Sequence, residues 1–205
     1  MKVMKFGGTS VGKPERMFEI AKLITNDEES KIVVLSALSG TTNSLTEISN
    51  CLSKGERAAA KQHIDALEQH YQNFIIQLVK TEEAYNKAKH IIAEHFEFLN
   101  IILKISFSEA LNKDILAQGE LLSTKLFGIF LEEQNINHVW LPALDFMTID
   151  MSDEPQIGSI KVKLTQLLNR HKDTTLFITQ GYICRNAKGE VDNLKRGDSD
   201  YSAFL

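Results

Sequence analysis

Short apolar runs and one helical pattern alternate at the start of the chain. Residues 2–6, KVMKF, and residues 31–36, KIVVLS, are largely apolar, as strands buried in a parallel sheet are. A helix begins between them near Pro14, because proline suits a first helical turn. Its apolar residues recur at helical spacing, at Met17, Ile20, Ala21 and Ile24. A strand, a helix and a second strand in this order predict a βαβ unit.

The pattern changes between about residues 50 and 110, where no strand-like run occurs. Two long amphipathic stretches predict a helical hairpin that turns near residues 80–83. The apolar face of the first helix consists of Ile64, Leu67, Tyr71, Phe74, Ile75 and Leu78. That of the second consists of Ile91, Ile92, Phe96, Leu99, Ile102 and Leu103. The histidines nearby lack a supporting carboxylate cluster, so the sequence predicts no metal site there.

Helices and strands alternate again in the last half of the chain. The predicted elements are a helix capped at 112–114 that runs to about 134, strands near 138–141 and 146–150, a helix over 154–171 and a strand over 174–183. The buried face of the helix over 154–171 is expected at Ile157, Ile160, Leu164, Leu167 and Leu168. The predicted fold class is therefore α/β, a three-layer αβα sandwich with a mostly parallel central sheet, interrupted by the helical hairpin.

Composition narrows the class of protein. The chain has 205 residues, 43% hydrophobic and 24% charged, which suits one globular domain or one domain plus an excursion. Its net charge of −4 argues against a nucleic-acid or anionic membrane partner. Two distant cysteines, Cys51 and Cys184, are expected to be free thiols in a reducing compartment. Without a membrane-length apolar run or a signal peptide, the sequence predicts a soluble cytoplasmic protein.

A glycine-rich stretch, KFGGTSVGKP, follows the first predicted strand at residues 5–14. Gly7, Gly12 and Lys13 fit the G-x-x-x-x-G-K frame of a P-loop, but Pro14 lacks the hydroxyl that would bind Mg²⁺. We therefore expect a different phosphate loop, and Gly12 is expected only to serve the turn into the helix. A tight turn without a ligand is the alternative.

The phosphate loop would be built on its first residues. Gly7 and Gly8 can present backbone N–H groups to a phosphate, because glycine has no Cβ to obstruct the approach. The following helix would add its positive end, and Lys5 would direct its ammonium group to the same oxygens. Three more stretches of small and polar residues are expected at this edge of the sheet: SALSGTTNS, GELLST at a helix start, and LKRGDSD.

Four motifs together carry a resemblance to a known family. KFGGTSV, VVLSALSGTTNSL, GELLST and LKRGDSDYSA stand in this order between residues 2 and 203, and the chain resembles the aspartokinases of the amino-acid kinase superfamily. The resemblance implies transfer of the γ-phosphate of ATP to the β-carboxylate of L-aspartate, which gives 4-phospho-L-aspartate. This reaction is the first step of lysine, threonine and methionine biosynthesis. Mg²⁺ would be held mainly by the nucleotide phosphates, with no metal ligands from the protein.

The resemblance also implies roles for residues on the ATP side. Lys5 would stabilise charge on the transferring phosphoryl group, and Asp200 would orient Lys5 through an ion pair; these two are the implied catalytic residues. The implied ATP phosphate-binding residues are Lys5, Gly7, Gly8, Thr9 and Ser10.

A second set of residues is implied on the substrate side: Ser36, Thr42, Glu120, Tyr182, Arg196 and Ser199. Arg196 offers a planar fork for a carboxylate, and Glu120 can pair with the α-ammonium group. Alternatively, Glu120 complements the N-terminus of a helix, and Tyr182 only packs. Asp198 replaces the second glycine of the family's R-G-G-S-D segment, and its charge would weaken binding of a carboxylate beside it.

Finally, the resemblance implies that residues 1–205 form the N-terminal, aspartate-side part of the catalytic domain, incomplete at the C-terminus. The isolated chain is expected to be inactive or weakly active, and the longer protein to be a homo-oligomer through regulatory ACT domains. Two alternatives stay open: an amino-acid kinase acting on another carboxylate such as glutamate, and a non-catalytic small-molecule sensor that retains the kinase fold.

Overall fold

A parallel sheet forms the centre of the molecule. The computed structural model describes residues 1–194 and 198–205, apart from the side chains at 198, 199 and 204. Strands β1 Lys2–Phe6, β2 Lys31–Leu35, β3 Val139–Trp140 and β4 Leu176–Gln180 lie in the order β1-β2-β4-β3, and every pair is parallel. The register aligns the last residues of the three long strands, Phe6, Leu35 and Gln180. Their following loops therefore meet at one edge.

Helices cover both faces of this sheet. Their bounds are α1 Gly8–Val11, α2 Pro14–Ile24, α3 Thr41–Ser53, α4 Arg57–Leu78, α5 Glu82–Ile102, α6 Glu109–Glu133, α7 Ala143–Phe146, α8 Ile157–Asn169 and α9 Asp198–Phe204. Strands β5 Ile183–Arg185 and β6 Val191–Asn193 form a separate antiparallel pair. No helix in the described ranges is long and apolar enough to cross a bilayer.

Alternate residues of β2 divide the core into two layers. Val33 and Leu35 pack with α2 to α6, whereas Ile32 and Val34 pack with α7 and α8. All five residues of β2 are buried, which explains its continuous apolar run. The predicted α/β fold class, with three layers and a parallel central sheet, is confirmed.

The predicted helical hairpin is present as α4 and α5, and the turn between them covers residues 79–81. The whole predicted apolar face of α4 is buried, and each such large side chain contributes about 1.5–3 kcal/mol to folding. Of the apolar face predicted for α5, Ile91 and Leu103, the residue after the helix, are only partly buried. Thr81 ends the turn as the N-cap of α5, because its side chain accepts a hydrogen bond from the N–H of Ala84.

Two helices differ from the prediction near the site. Helix α3 begins at Thr41, directly after the SALSG segment, whereas no helix was predicted there. Helix α6 begins at Glu109, since Ser108 caps it by accepting a hydrogen bond from the N–H of Leu111; the predicted cap at 112–114 is wrong. Glu120 consequently lies in the middle of α6, so it neither starts a helix nor complements a helix N-terminus.

The second half of the chain contains three smaller corrections. Helix α7 and isolated bridges at Thr148 and Ile149 replace the predicted strand near 146–150. Helix α8 starts at Ile157, because backbone hydrogen bonds pair residues 154–156 with 148–150; of its predicted buried face only Ile160 is fully buried. The predicted strand over 174–183 is divided at Tyr182 into β4 and β5.

Candidate active site

A cavity of about 420 Å³ opens at the carboxyl edge of the sheet. Four segments contribute to it: the end of β1 with the turn that follows, the SALSGTTN segment after β2, the middle of α6, and Tyr182 in the link between β4 and β5. The predicted site residues that line it are Lys5, Gly7, Gly8, Thr9, Ser36, Thr42, Glu120 and Tyr182. Ser39 and Asn43 also line it and were not predicted.

The segment from Gly7 to Val11, which we call the glycine turn, is helical rather than an open loop. Gly7 is the N-cap of α1, and its carbonyl accepts hydrogen bonds from the N–H groups of Ser10 and Val11. The first N–H groups of a helix have no partner within the helix, so Gly8 and Thr9 are placed to donate to a ligand. Ser10 does not line the cavity but borders a neighbouring surface cleft, away from its predicted ligand role.

Arg16 braces this turn, which sequence reasoning did not find. Its guanidinium group donates a short hydrogen bond to the carbonyl of Thr9, seven residues away. Both residues lie outside regular apolar patterns, so the only available signal was a basic residue one helical turn after the glycine stretch. The bond links the start of α2 to α1 and thereby fixes the backbone next to the cavity.

Glycine is required at position 12 by close packing rather than by the predicted turn. Its φ of −73° is ordinary for any residue, but a Cβ at this position would stand 2.6 Å from Cβ of Ser39 and 2.9 Å from the carbonyl oxygen of Gly8. Glycine therefore allows the segments after β1 and β2 to pack directly against each other. Lys13 is exposed and does not line the cavity, in agreement with rejecting a P-loop.

Lys5 and Asp200 form the expected ion pair. Nζ of Lys5 lies 2.7 Å from Oδ1 of Asp200 on α9, and 3.3 Å from where a Cβ on Gly7 would stand. The lysine ammonium therefore lies over the glycine turn. The Asp200 side chain is 76% exposed and that of Lys5 23%, so solvent screens the pair and its contribution to stability is small. The pair instead holds the ammonium group at the cavity.

Helix α6 clamps the segment that follows β2. Glu120, which is only 4% exposed, accepts a hydrogen bond from the N–H of Ala37 through Oε1 at 3.3 Å. One turn later, the hydroxyl of Ser123 donates to the carbonyl of Ser36 at 2.5 Å. The two contacts hold residues 36 and 37 against α6 and place a carboxylate at the cavity wall.

A buried chain of hydrogen bonds supports this part of α6. The amide of Gln180, at the end of β4, donates to Oγ1 of Thr124 at 2.8 Å, and Thr124 donates to the carbonyl of Glu120 at 2.9 Å. The N–H of Ala143 in turn donates to Oε1 of Gln180 at 2.8 Å. Sequence reasoning missed these residues, although Ser123 and Thr124 lie three and four positions after Glu120, on the same helical face.

Tyr182 borders the cavity in a strained backbone conformation. Its φ is 67°, in the left-handed region that bulky residues seldom adopt. Its N–H donates to the hydroxyl of Ser202 at 2.8 Å, and its carbonyl accepts from the N–H of Leu194 at 2.8 Å. The first bond ties Tyr182 to α9, the helix that carries Asp200, and the second ties it to the residue after β6.

The remaining predicted residues cannot be placed in the same way. Arg196 lies outside the described residues. Ser199 belongs to α9, but its side chain falls outside the description, as does that of Asp198. Nearby, burial raises the pKa of the Cys184 thiol to about 12, so this cysteine is not a nucleophile at neutral pH. Both cysteines are free and buried, as predicted.

The cavity combines two opposite kinds of electrostatic surface. One wall has the Lys5 ammonium group and the start of α1, which suit an anion such as a phosphate. Another has the buried carboxylate of Glu120, which suits an ammonium group. A ligand pair with a phosphate at one end and an amino acid at the other would satisfy both.

Comparisons with known proteins agree with this reading. The sequence model of the Amino acid kinase family matches residues 1–205. The lysine-sensitive aspartokinase 3 of Escherichia coli is 33% identical over 207 residues, which cover 99% of this chain and 45% of that protein. Aspartokinase 3, chloroplastic, of Arabidopsis thaliana is 32% identical, with 98% of this chain and 37% of the relative covered.

The fold agrees as well. The crystal structure of E. coli aspartokinase III in complex with aspartate and ADP superposes with a TM-score of 0.81 at 30% identity, covering 98% of this chain and 45% of that one. The chain thus spans less than half the length of these relatives. Together, the family match over residues 1–205 and the shared fold confirm the resemblance of the motifs, and the chain belongs to the amino acid kinase family, with aspartokinases among its relatives.

Proposed function

We propose that this chain is part of an aspartate kinase, which transfers the γ-phosphoryl group of ATP to the β-carboxylate of L-aspartate and yields 4-phospho-L-aspartate and ADP. The observation that carries the proposal is that one cavity is lined both by Lys5, which pairs with Asp200 and lies over the glycine turn, and by buried Glu120. It gains support from the E. coli relative, whose structure contains aspartate and ADP.

The ATP side of the site supplies position and charge. Phosphoryl transfer asks a protein mainly to align the reactants and to neutralise charge on the transferring group. Lys5 neutralises charge on the γ-phosphoryl oxygens, and Asp200 keeps its ammonium group pointed at them. The N–H groups of Gly8 and Thr9 bind phosphate oxygens at the start of α1. Ser10 has no contact with the cavity in this arrangement, and we leave it out of the phosphate site.

Mg²⁺ fits this site as a companion of the nucleotide. Within the described ranges, no group of three His, Cys, Asp or Glu side chains is arranged to hold a metal ion. The ion would be held mainly by the phosphates of ATP, where it would neutralise the charge of the β- and γ-phosphate oxygens.

The amino-acid side is built on α6 and the start of α3. Glu120 pairs with the α-ammonium group of L-aspartate, because its buried carboxylate lines the cavity and a charge-assisted hydrogen bond to an ammonium group is strong. Thr42 and Ser36 line the same space and bind the substrate with their hydroxyl groups. Arg196 and Ser199 are proposed from the motif alone as the partners of the substrate carboxylates.

The relatives are more than twice as long as this chain, so the proposal also concerns a longer protein. We propose that residues 1–205 form the aspartate-side part of a longer catalytic domain. The pathway role in lysine, threonine and methionine synthesis, and any homo-oligomer, are proposed for the longer protein.

A product assay tests the proposal directly. The full-length protein is incubated with MgATP and either L-aspartate or L-glutamate, and ADP release is measured with and without hydroxylamine, which converts an acyl phosphate into a stable hydroxamate. We expect ADP and a hydroxamate with L-aspartate only. Turnover of glutamate alone would favour an amino-acid kinase with another substrate, and ligand binding without ADP release from either would favour a sensor.

A further inference from the structure

Tyr71 has a buried hydroxyl group, although the sequence pattern predicted only apolar packing for this residue. It lies on α4, is 0% exposed and belongs to the apolar cluster of the hairpin. A buried phenol hydroxyl normally has a hydrogen-bond partner. Here the oxygen lies 3.0 Å from Oγ1 of Thr41, thirty residues earlier in the chain, and Thr41 is also buried.

Thr41 occupies the junction between the hairpin and the cavity. It is the first residue of α3, and its N–H donates to the carbonyl of Leu38 at 3.0 Å. The next two residues, Thr42 and Asn43, both line the cavity. A hydrogen bond that fixes Thr41 therefore also fixes the first turn of α3, whose side chains face the proposed amino-acid site.

The other side of Thr41 touches α6 beside Glu120. A Cβ on Gly119 would stand 3.3 Å from Cγ2 of Thr41 and 2.8 Å from Cβ of Ala37, so α6 and the SALSG segment approach as closely as glycine permits. Burial, and to a smaller degree the charge of Glu120, raise the pKa of the Tyr71 hydroxyl, which stays protonated at neutral pH. The electrostatic influence of Glu120 on Tyr71 is consistent with this close packing.

We propose that Tyr71 is a positioning residue of the active site, whose hydrogen bond to Thr41 sets the first turn of α3, and with it Thr42, against Glu120. The inference rests on the proposed aspartate kinase function and gives the hairpin a part in binding the amino-acid substrate. None of the contacts described above for Tyr71 involves β1 or α1, which form the ATP side of the site.

Tyr71→Phe in the full-length protein removes the hydroxyl and leaves the ring in place. Because one hydrogen bond contributes about 0.5–1.5 kcal/mol, we expect KM for L-aspartate to rise about 3- to 10-fold while KM for ATP changes less than about 2-fold. Thr41→Val should have the same effect, and the double variant no greater one. Thr41→Ser keeps the oxygen and should recover most of the affinity that Thr41→Val loses.

Phe74→Leu is the matched control for general destabilisation. Phe74 is buried on the same helix, three residues from Tyr71, and packs in the same cluster. The Phe74→Leu substitution should lower the thermal unfolding midpoint at least as much as Tyr71→Phe does, and it should leave KM for L-aspartate unchanged. An equal rise in KM in Phe74→Leu, or an unchanged KM in Tyr71→Phe, would overturn the inference.

Hydrogen exchange without any ligand separates this inference from the proposed function. Amides of residues 38–43 should exchange about 5-fold faster in Tyr71→Phe than in the parent, as expected for loss of about 1 kcal/mol locally, and not in Phe74→Leu. If the parent protein does not phosphorylate L-aspartate, the proposed function fails, and the exchange result alone decides: faster exchange supports positioning by Tyr71, and no change rejects it.

Discussion

Two glutamates of helix α6, one in its middle and one at its C-terminal end, have opposite surroundings. Glu120, in the middle of the helix, is 4% exposed, accepts a hydrogen bond from the N–H of Ala37 at 3.3 Å and lines a cavity. Glu133, the last residue, accepts hydrogen bonds from the N–H groups of Lys80 and Thr81 at 2.7 Å each and from the hydroxyl of Thr81 at 2.9 Å.

The difference shows how one helix serves both stability and binding. Oε1 of Glu133 is occupied by the turn between α4 and α5 and fastens the hairpin to α6. Glu120 lines a cavity that a ligand can enter, and its carboxylate can bind an ammonium group there. Substitutions of residues that line the cavity should therefore change kinetics with little effect on stability, and those at the hairpin end of α6 should do the reverse.

The largest effect is expected next to the cavity, at Lys5. Lys5→Ala removes the ammonium group that lies over the glycine turn, and kcat should fall about 100- to 1,000-fold, as when one preorganised charge-stabilising group is lost. The unfolding midpoint should change little, because the Lys5–Asp200 pair is solvent-screened. Steady-state kinetics and thermal unfolding of the full-length protein give the two values.

Lys13→Ala is the control for Lys5→Ala, since Lys13 belongs to the same glycine-rich stretch but is exposed and outside the cavity. Its kcat should stay within about 2-fold of the parent, as for most exposed substitutions away from a site. A loss of activity at Lys13 comparable to that at Lys5 would restore the P-loop interpretation.

Glu120→Gln is expected to have the next largest effect. The amide keeps the shape and loses the charge, so KM for L-aspartate should rise about 10- to 100-fold, the usual contribution of a hydrogen bond to a charged group. The unfolding midpoint should change little, because the amide oxygen can still accept the hydrogen bond from the N–H of Ala37. Steady-state kinetics with L-aspartate and thermal unfolding provide the measurements, and a large loss of stability would show that Glu120 has a structural role like that of Glu133.

The sequence was most informative where hydrophobic periodicity is strong. The βαβ unit and the α4–α5 hairpin were predicted with nearly correct limits, because their apolar positions follow one period without interruption. Helix α3 was missed since its first turn, TTNS, consists of residues that favour turns and caps. The start of α6 was misplaced since Asn112 looks like a cap, whereas its amide oxygen accepts a hydrogen bond from Ser49 at 2.6 Å.

The site residues also divide into those that the sequence predicted and those that it missed. The motifs identified most residues that line the cavity, because their small and polar residues stand at strand ends that a parallel sheet brings together. Arg16, Gln180 and Tyr71 were missed, since each acts through a contact that only the tertiary structure creates: Gln180 meets Thr124 across 56 residues, and Tyr71 meets Thr41 across 30. Apolar patterning alone gave Tyr71 a core position and said nothing of its hydroxyl.

The smallest effect, and one confined to stability, is expected at the hairpin end. Glu133→Ala deletes the acceptor for three hydrogen bonds, and water replaces it only in part, so the free energy of unfolding should fall by about 1–2 kcal/mol at pH 7 and the midpoint by about 4 °C. KM for both substrates should not change. Glu132→Ala is the control, because its 3.4 Å ion pair with Lys87 is exposed and should contribute less than about 0.5 kcal/mol.

The difference in stability between the parent and Glu133→Ala should depend on pH. Partial burial opposes ionisation of Glu133, but the hydrogen bonds from Thr81 and Lys80 outweigh it and lower its pKa below the ordinary 4.5. A carboxylate with a lowered pKa in the folded state stabilises the protein fully above the unfolded pKa and loses that contribution as pH falls through the folded one. The stability gap between the parent and Glu133→Ala, measured by urea unfolding, should therefore be constant above about pH 5 and shrink below it. A gap that stays constant down to acid pH would mean that packing by Glu133, and not its charge, fastens the hairpin to α6.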